Sequence, residues 1–155
     1  MGKLRSITVY ILGESYKPGA YVLSAMSNVS NALFVSGGVT KKGSLRNIEI
    51  RRNGEIVGVY DFYDFLLKGN TSSGVKLEDG DAIFIPFIQN KVKLGGAFKR
   101  PGYYEIVEGE SLQEAISFAG GYKSEVVDSS IIEISSIDQS IGKRRSFIHY
   151  ASKFN

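Results

Sequence analysis

One block of this chain occurs twice, and its content restricts the fold. Gly13, Pro18, Gly19, Tyr21, Ala32, Gly37 and Gly38 match Gly96, Pro101, Gly102, Tyr104, Ala115, Gly120 and Gly121 at a constant offset of 83 residues, without a gap. Flanking types match too: Val9 with Val92, Lys17 with Arg100, Leu33 with Ile116. Five of the seven identities are glycine or proline. Glycine reaches positive φ and proline locks φ, so what repeats is a backbone path. The path reads strand, Pro-Gly corner, strand, short helix, Gly-Gly stop. The repeated set holds no nucleophile, carboxylate or histidine. That points to a scaffold or binding module built twice, not to an enzyme.

The repeat divides the 155 residues into two small domains, 5–89 and a shorter 90–155. Each buries a modest core, so the two are expected to lean on each other. Glycine, 18 of 155 residues, exceeds the usual ~7% and suits many tight turns. The net charge of +3 is mildly basic. Lys and Arg are spread over several short groups, whereas nucleic-acid binders concentrate them on one face. No nucleic-acid partner is expected. There is no cysteine, which excludes disulfides and thiolate metal sites. The single histidine, His149, cannot build a usual zinc site alone. No metal or cofactor is expected. No apolar run approaches the ~18 residues of a membrane span. Met1-Gly2-Lys3 leads directly into strand-like sequence, which reads as a piece of a longer chain with its targeting signal elsewhere.

Residues 6–12 alternate as a strand, with Ile7, Val9 and Ile11 on one face. Lys17-Pro18-Gly19 turns the chain, and the Pro-Gly order favours a type II turn. Residues 21–23 continue as a second strand. In 28–36, Val29, Ala32, Leu33 and Ser36 fall at helical spacing. Ser27 or Asn28 caps that helix and Gly37-Gly38 stops it. In the second copy Ser111 and Glu114 form a capping box, and Leu112, Ala115, Ile116 and Ala119 form the stripe.

Segments 46–52 and 55–60 flank Asn53-Gly54, a strong hairpin signal. A two-residue turn sets Arg52 opposite Glu55, Ile50 opposite Val57 and Ile48 opposite Val59. Residues 61–68 predict a second short helix lined by Phe62, Phe65 and Leu66, and 82–86 a strand. In copy two, 92–97 and 103–106 read as strands, and 131–137 and 147–150 as the matching hairpin. The basic loop Lys143-Arg144-Arg145 lies between those last two.

The ordered series G-E-x-x-K-P-G-A-Y, then G-S-L-R-N-I-E-I-R-R-N-G, Y-D-F-Y-D-F-L-L-x-G and L-x-D-G-D-x-I-F-I-P spans residues 13–86. It resembles the SLBB domain, a soluble ligand-binding β-grasp module. G-G-A-F-K-R-P-G-Y-Y-E-I and S-L-Q-E-A-I-x-F-A-G-G look like a second such domain in tandem. The resemblance implies an α+β fold: two β-grasp-like domains, each a small mixed sheet on a short helix. Tandem domains of this kind are similar to those of bacterial polysaccharide export proteins, and Gly43-Ser44-Leu45-Arg46 and Ile83-Phe84-Ile85-Pro86 look especially like that branch. The resemblance implies a periplasmic place beside the outer membrane. It implies a ring of identical subunits in the full-length protein and a capsule or exopolysaccharide as cargo. An inner-membrane polysaccharide co-polymerase or exporter would be a further partner. The alternative is a monomeric saccharide-binding module. Alone in dilute solution, this segment is expected to be a monomer or weak dimer.

Glu78, Asp79 and Asp81 surround Gly80 in too short a series for a calcium loop, and read as exposed acids on a turn. Asp61 and Asp64 stand three apart, but Asp61 reads as a helix cap and Asp64 as solvent-facing. Gly37-Gly38 and Gly120-Gly121 follow helices, whereas a phosphate cradle puts glycines before one. The best contact candidates for polymer or a neighbouring subunit are basic. They are Arg46, Arg51 and Arg52 on the hairpin, Lys99 and Arg100 at the second corner, and Lys143, Arg144 and Arg145. Arginine holds carboxylates bidentately, and salt bridging is the plainer reading. Tyr16, Tyr21, Tyr103 and Tyr104 offer flat faces for sugars, against a plainer role in strand packing.

Overall fold

The computed structural model describes residues 5–71 and 74–123, and the backbone of 131–138 and 143–150. The chain divides into two compact units, Met1–Ile88 and Gln89–Asn155. The first contains β1 (Ser6–Gly13), β2 (Gly19–Ser24), α1 (Val29–Val35), β3 (Ile48–Arg52), β4 (Glu55–Tyr60), α2 (Tyr63–Leu66) and β5 (Ala82–Ile85). Its sheet runs β2-β1-β5-β3-β4. Only the β1–β5 pair is parallel. The second unit contains β6 (Asn90–Gly96), β7 (Gly102–Glu105), α3 (Leu112–Phe118), β8 (Ile131–Asp138) and β9 (Lys143–Tyr150). Its sheet runs β7-β6-β8-β9, antiparallel throughout. The α+β class follows directly.

The two sheets share one frame. In the first, β3 is antiparallel to β5 and β5 parallel to β1. Removing β5 would leave β3 antiparallel to β1, which is the relation of β8 to β6. The second unit is thus the first with the β5 place closed up. Its hairpin slides in one strand and keeps its direction. Lys143, Arg144 and Arg145 are not the expected loop. They begin β9, with Asp138, Ile137 and Ser136 as their partners, because the hairpin pairs over its full length.

The repeated residues build a clamp between the corner and the helix end. The Lys17 N–H donates to the Ser36 carbonyl at 3.1 Å, and Tyr16 N–H to Gly38 at 3.2 Å. Eighty-three residues on, Arg100 donates to Ala119 and Lys99 to Gly121, each at 2.9 Å. Thr40 donates to Glu14, and Lys123 to Ala97, again at 2.9 Å. The Gly-Gly pair therefore does more than stop a helix. Its N–H groups donate to the helix's last carbonyls, Gly37 to Phe34 and Gly38 to Leu33, which lack partners within the helix, and the bend offers the carbonyls of the C-cap and of the second glycine to the corner. The corner is not a type II turn. Gly19 has φ +154°, far from the roughly +80° that turn requires.

The repeated tyrosines close the same loop. Tyr21 Oη donates to the Lys17 carbonyl, and Tyr104 Oη to the Arg100 carbonyl at 2.6 Å. We expect Tyr21→Phe and Tyr104→Phe each to cost its own unit about 1 kcal/mol in denaturant unfolding. A loss confined to one unit would mean that the two clamps are not equivalent.

The first hairpin departs from the expected register. Arg52 faces Glu55, but a bulge between Ile50 and Arg51 then sets Ile50 opposite Gly58 and Ile48 opposite Tyr60. Tyr60 turns inward at 2% exposure, and Val57 and Val59 turn out. From outside the hairpin, Val75 packs so closely over position 58 that a side chain there would collide with it. Asn53 and Gly54 both have positive φ, +54° and +80°, as a type I′ turn requires.

Helix α1 buries Val29, Ala32, Leu33 and the Ser36 cap against Val9, Ile11, Ile48, Ile50, Ile83 and Ile85. Asn28 and Asn31 cap it reciprocally. At α3 the Ser111 hydroxyl accepts from the Glu114 N–H at 3.2 Å. Ala115, Ile116 and Ala119 pack on Val92, Leu94 and Phe98. Helix α2 is shorter than expected. It turns Tyr63 inward and leaves Leu66 exposed, because Tyr63 is held under Arg46.

Candidate functional site

Two of the three arginines nominated on the first hairpin are committed to the fold. Arg46 lies before β3, not in it, and is buried. Its Nε and Nη2 donate to Asp61 Oδ2 at 3.1 Å, and its guanidinium lies 4.9 Å from the Tyr63 ring centre. Asp61 Oδ1 accepts from the Tyr63 N–H at 3.0 Å. The carboxylate thus fastens the chain on both sides of the hairpin. Arg52 forks onto Asp81 at 2.8 and 2.9 Å, reaches Glu78 at 3.3 Å, and donates to the Lys76 carbonyl. Arg51 is more open. It pairs with Glu49 and lies 5.1 Å from the Phe84 ring centre.

The acids around Gly80 are not the exposed set expected from sequence. Asp81 is fully buried. Burial alone would raise its carboxyl, but the Arg52 guanidinium and the Glu78 N–H outweigh it and hold Asp81 below the ordinary carboxylate value. The same pairing raises Arg52. A group lowered on folding stabilises above its unfolded pKa and loses that contribution as pH falls through its folded pKa. Stability of the first unit should therefore drop below pH ~4. Asp81→Asn should unfold more readily at neutral pH and show a flatter acid limb in pH-dependent chemical denaturation. An unchanged limb would show that Asp81 is not the titrating group. Asp79 Oδ1 accepts from the Thr8 N–H at 2.8 Å, which ties the turn to β1.

At the second corner Arg100 Nη2 donates to the Phe118 carbonyl at 3.0 Å, placing a cation where the helix dipole favours one. Lys99 is exposed beside it. Lys143, Arg144 and Arg145 stand on β9, with Lys91, Ile137 and Arg144 in one cross-strand row. The side chains of these three, and of His149, lie outside the described residues. Of the tyrosines, Tyr21 and Tyr104 serve the clamps, while Tyr16 and Tyr103 are each 57% exposed.

The structure also brings together residues that the sequence reading passed over. Lys91 and Lys93 alternate with buried Val92 and Leu94 on β6. Their ammonium groups lie 5.1 and 5.8 Å from the centre of the Tyr103 ring on β7. The Lys-Val-Lys-Leu alternation beside a tyrosine strand was the available signal. Among the described residues, the perturbed titratable groups are the Arg52–Asp81 pair in one unit and Tyr122, raised by burial, in the other. No group of three or more His, Cys, Asp or Glu gathers as metal ligands among the described residues.

A sequence profile of the SLBB domain matches residues 8–60 and 91–135. The chain belongs to the SLBB family. Both matches cover the corner and the helix; the first runs through the hairpin to the end of β4 and stops before β5, and the second ends within β8. SLBB domains are binding modules. No curated protein matches this SLBB pair.

Proposed function

We propose that this SLBB pair is a non-catalytic periplasmic part of an outer-membrane polysaccharide export protein. There it packs laterally into a ring around the path of a capsule or exopolysaccharide. The ordered motif series described above supports the export assignment. The observation that carries the packing is a pair of unlike apolar patches on opposite layers of the first domain. On the outer sheet face, Val22 is 72%, Val59 58%, Tyr10 44% and Leu12 43% exposed. On the helix side, Phe34 and Leu66 are exposed around the Phe34–Phe62–Phe65 cluster. Head-to-tail contacts that close a ring use complementary, non-identical patches, and exposed apolar patches mark interaction surfaces.

Among the described residues no helix is long and apolar enough to cross a membrane. The monomeric saccharide-binder reading finds less support. One cleft among the described residues, of about 400 Å³ beside Arg5, Ile7, Ala25 and Lys76, has no aromatic wall, whereas sugar pockets draw on aromatics and a few convergent polar groups. Sedimentation of the full-length protein tests the packing. Val22→Lys and Leu66→Lys should each reduce the ring to smaller species while leaving the far-ultraviolet circular dichroism unchanged. Intact rings from both variants would refute it.

A further inference from the structure

We propose that the Lys91–Lys93–Tyr103 face of the second domain is a contact site for an anionic polysaccharide, one bearing carboxylates on its sugar units. This rests on the export reading above and names the class of polymer it implies. Three observations carry it. First, Lys91 and Lys93 stand on one side of β6, since Val92 and Leu94 between and beyond them point to the core. Tyr103 is the register partner of Lys93 on β7 and more than half exposed. Second, neither ammonium group has an ion pair among the described residues. Each lies against the ring, at 5.1 and 5.8 Å from its centre. Glu105, the register partner of Lys91, is 3% exposed and has a partner within the fold. Third, the arginines of the first domain already hold carboxylates of their own.

Lys91 and Lys93 are half-buried, and a cation over a tyrosine that still reaches solvent is weakly held. A carboxylate gives the same ammonium a charge-assisted hydrogen bond, which is stronger. Two lysines two residues apart on a strand stand about 7 Å apart, so one acidic sugar can engage one or both. The ring freed of its cations offers an apolar face to the sugar's C–H edges, as aromatic rings with one wet end do. The backbone is a strand pair, so the face is preformed and only the lysine tips must move. The lysines are half-buried and Tyr103 is exposed, so the contacts remain open to solvent, and each is weak and salt-sensitive. That suits a polymer that must keep moving.

The test uses the 155-residue chain and tetragalacturonic acid as probe, with galactotetraose as the neutral control and a thymidine tetranucleotide as a non-sugar anion. Amide chemical-shift titration should show tetragalacturonate binding centred on residues 91–93 and 102–104. Binding should weaken in high salt, and galactotetraose should give at most a trace. The double variant Lys91→Gln/Lys93→Gln should lose roughly tenfold in affinity, as two exposed ion pairs allow, and Tyr103→Ala should weaken binding several-fold. Unchanged spectra outside the site would show that the variants fold.

Equal binding of the neutral and acidic sugars, equal binding of the oligonucleotide, or shifts located elsewhere would each overturn the proposal. In cells, the double variant in the full-length protein should lower surface export of an acidic polymer. Normal export by that variant, where deleting both domains abolishes export, would overturn the site and leave the export reading standing. Normal export after the deletion itself would remove the export reading instead.

Discussion

Gly13→Ala should destabilise the first SLBB domain by about 3–4 kcal/mol, while Gly38→Ala should cost about 1 kcal/mol. Both glycines are left-handed, with φ +83° and +89°, and that conformation alone costs an L-residue about 1–2 kcal/mol. The difference is space. A Cβ at Gly38 meets nothing, whereas one at Gly13 strikes the carbonyl of Ile85 on β5. Backbone cannot swing aside as a flexible side chain does, and overpacking of this kind adds ~1–3 kcal/mol. Gly13 is also where β1 and β5 pair, and Glu14 donates to that same carbonyl at 2.9 Å. In calorimetry the first domain's transition should fall by about 15–20 °C for Gly13→Ala and by about 5 °C for Gly38→Ala. Equal shifts would mean that the β1–β5 contact is looser than the structure has it.

Arg46→Ala should cost the first domain about 3 kcal/mol in urea unfolding, and Lys99→Ala less than ~0.5 kcal/mol. Arg46 is a buried cation whose removal strands Asp61 and uncovers the Tyr63 ring. Arg46→Lys should recover little, because a single ammonium cannot reproduce the forked donation. If Arg46→Ala were as stable as wild type but impaired in export, the residue would be a polymer contact and not an internal fastener.

Much of the frame could be read from the sequence because glycine and proline report backbone directly. The repeat at Gly13, Pro18, Gly19, Gly37 and Gly38 marked the corner and helix stop in both domains. The Val29–Ala32–Leu33 and Ala115–Ile116–Ala119 stripes marked the buried helix faces. What the sequence did not disclose was set at long range. The bulge moves Tyr60 inward, Val75 from a later segment packs over Gly58, and alternation along β4 carries no trace of either. The partnering of Arg46 with Asp61 and of Arg52 with Asp81 joins residues 15 and 29 positions apart. Basic side chains that looked available therefore turned out to be engaged. Conversely, Lys91 and Lys93 form no charge run and drew no notice, and only the β6–β7 register sets them around Tyr103.

Surface polysaccharide in the source cell, quantified after in-frame deletion of residues 5–155 from the full-length protein, tests the central claim most directly. The account predicts loss of polymer from the surface and its retention inside while the synthesis enzymes remain active. Unchanged surface polymer would contradict it.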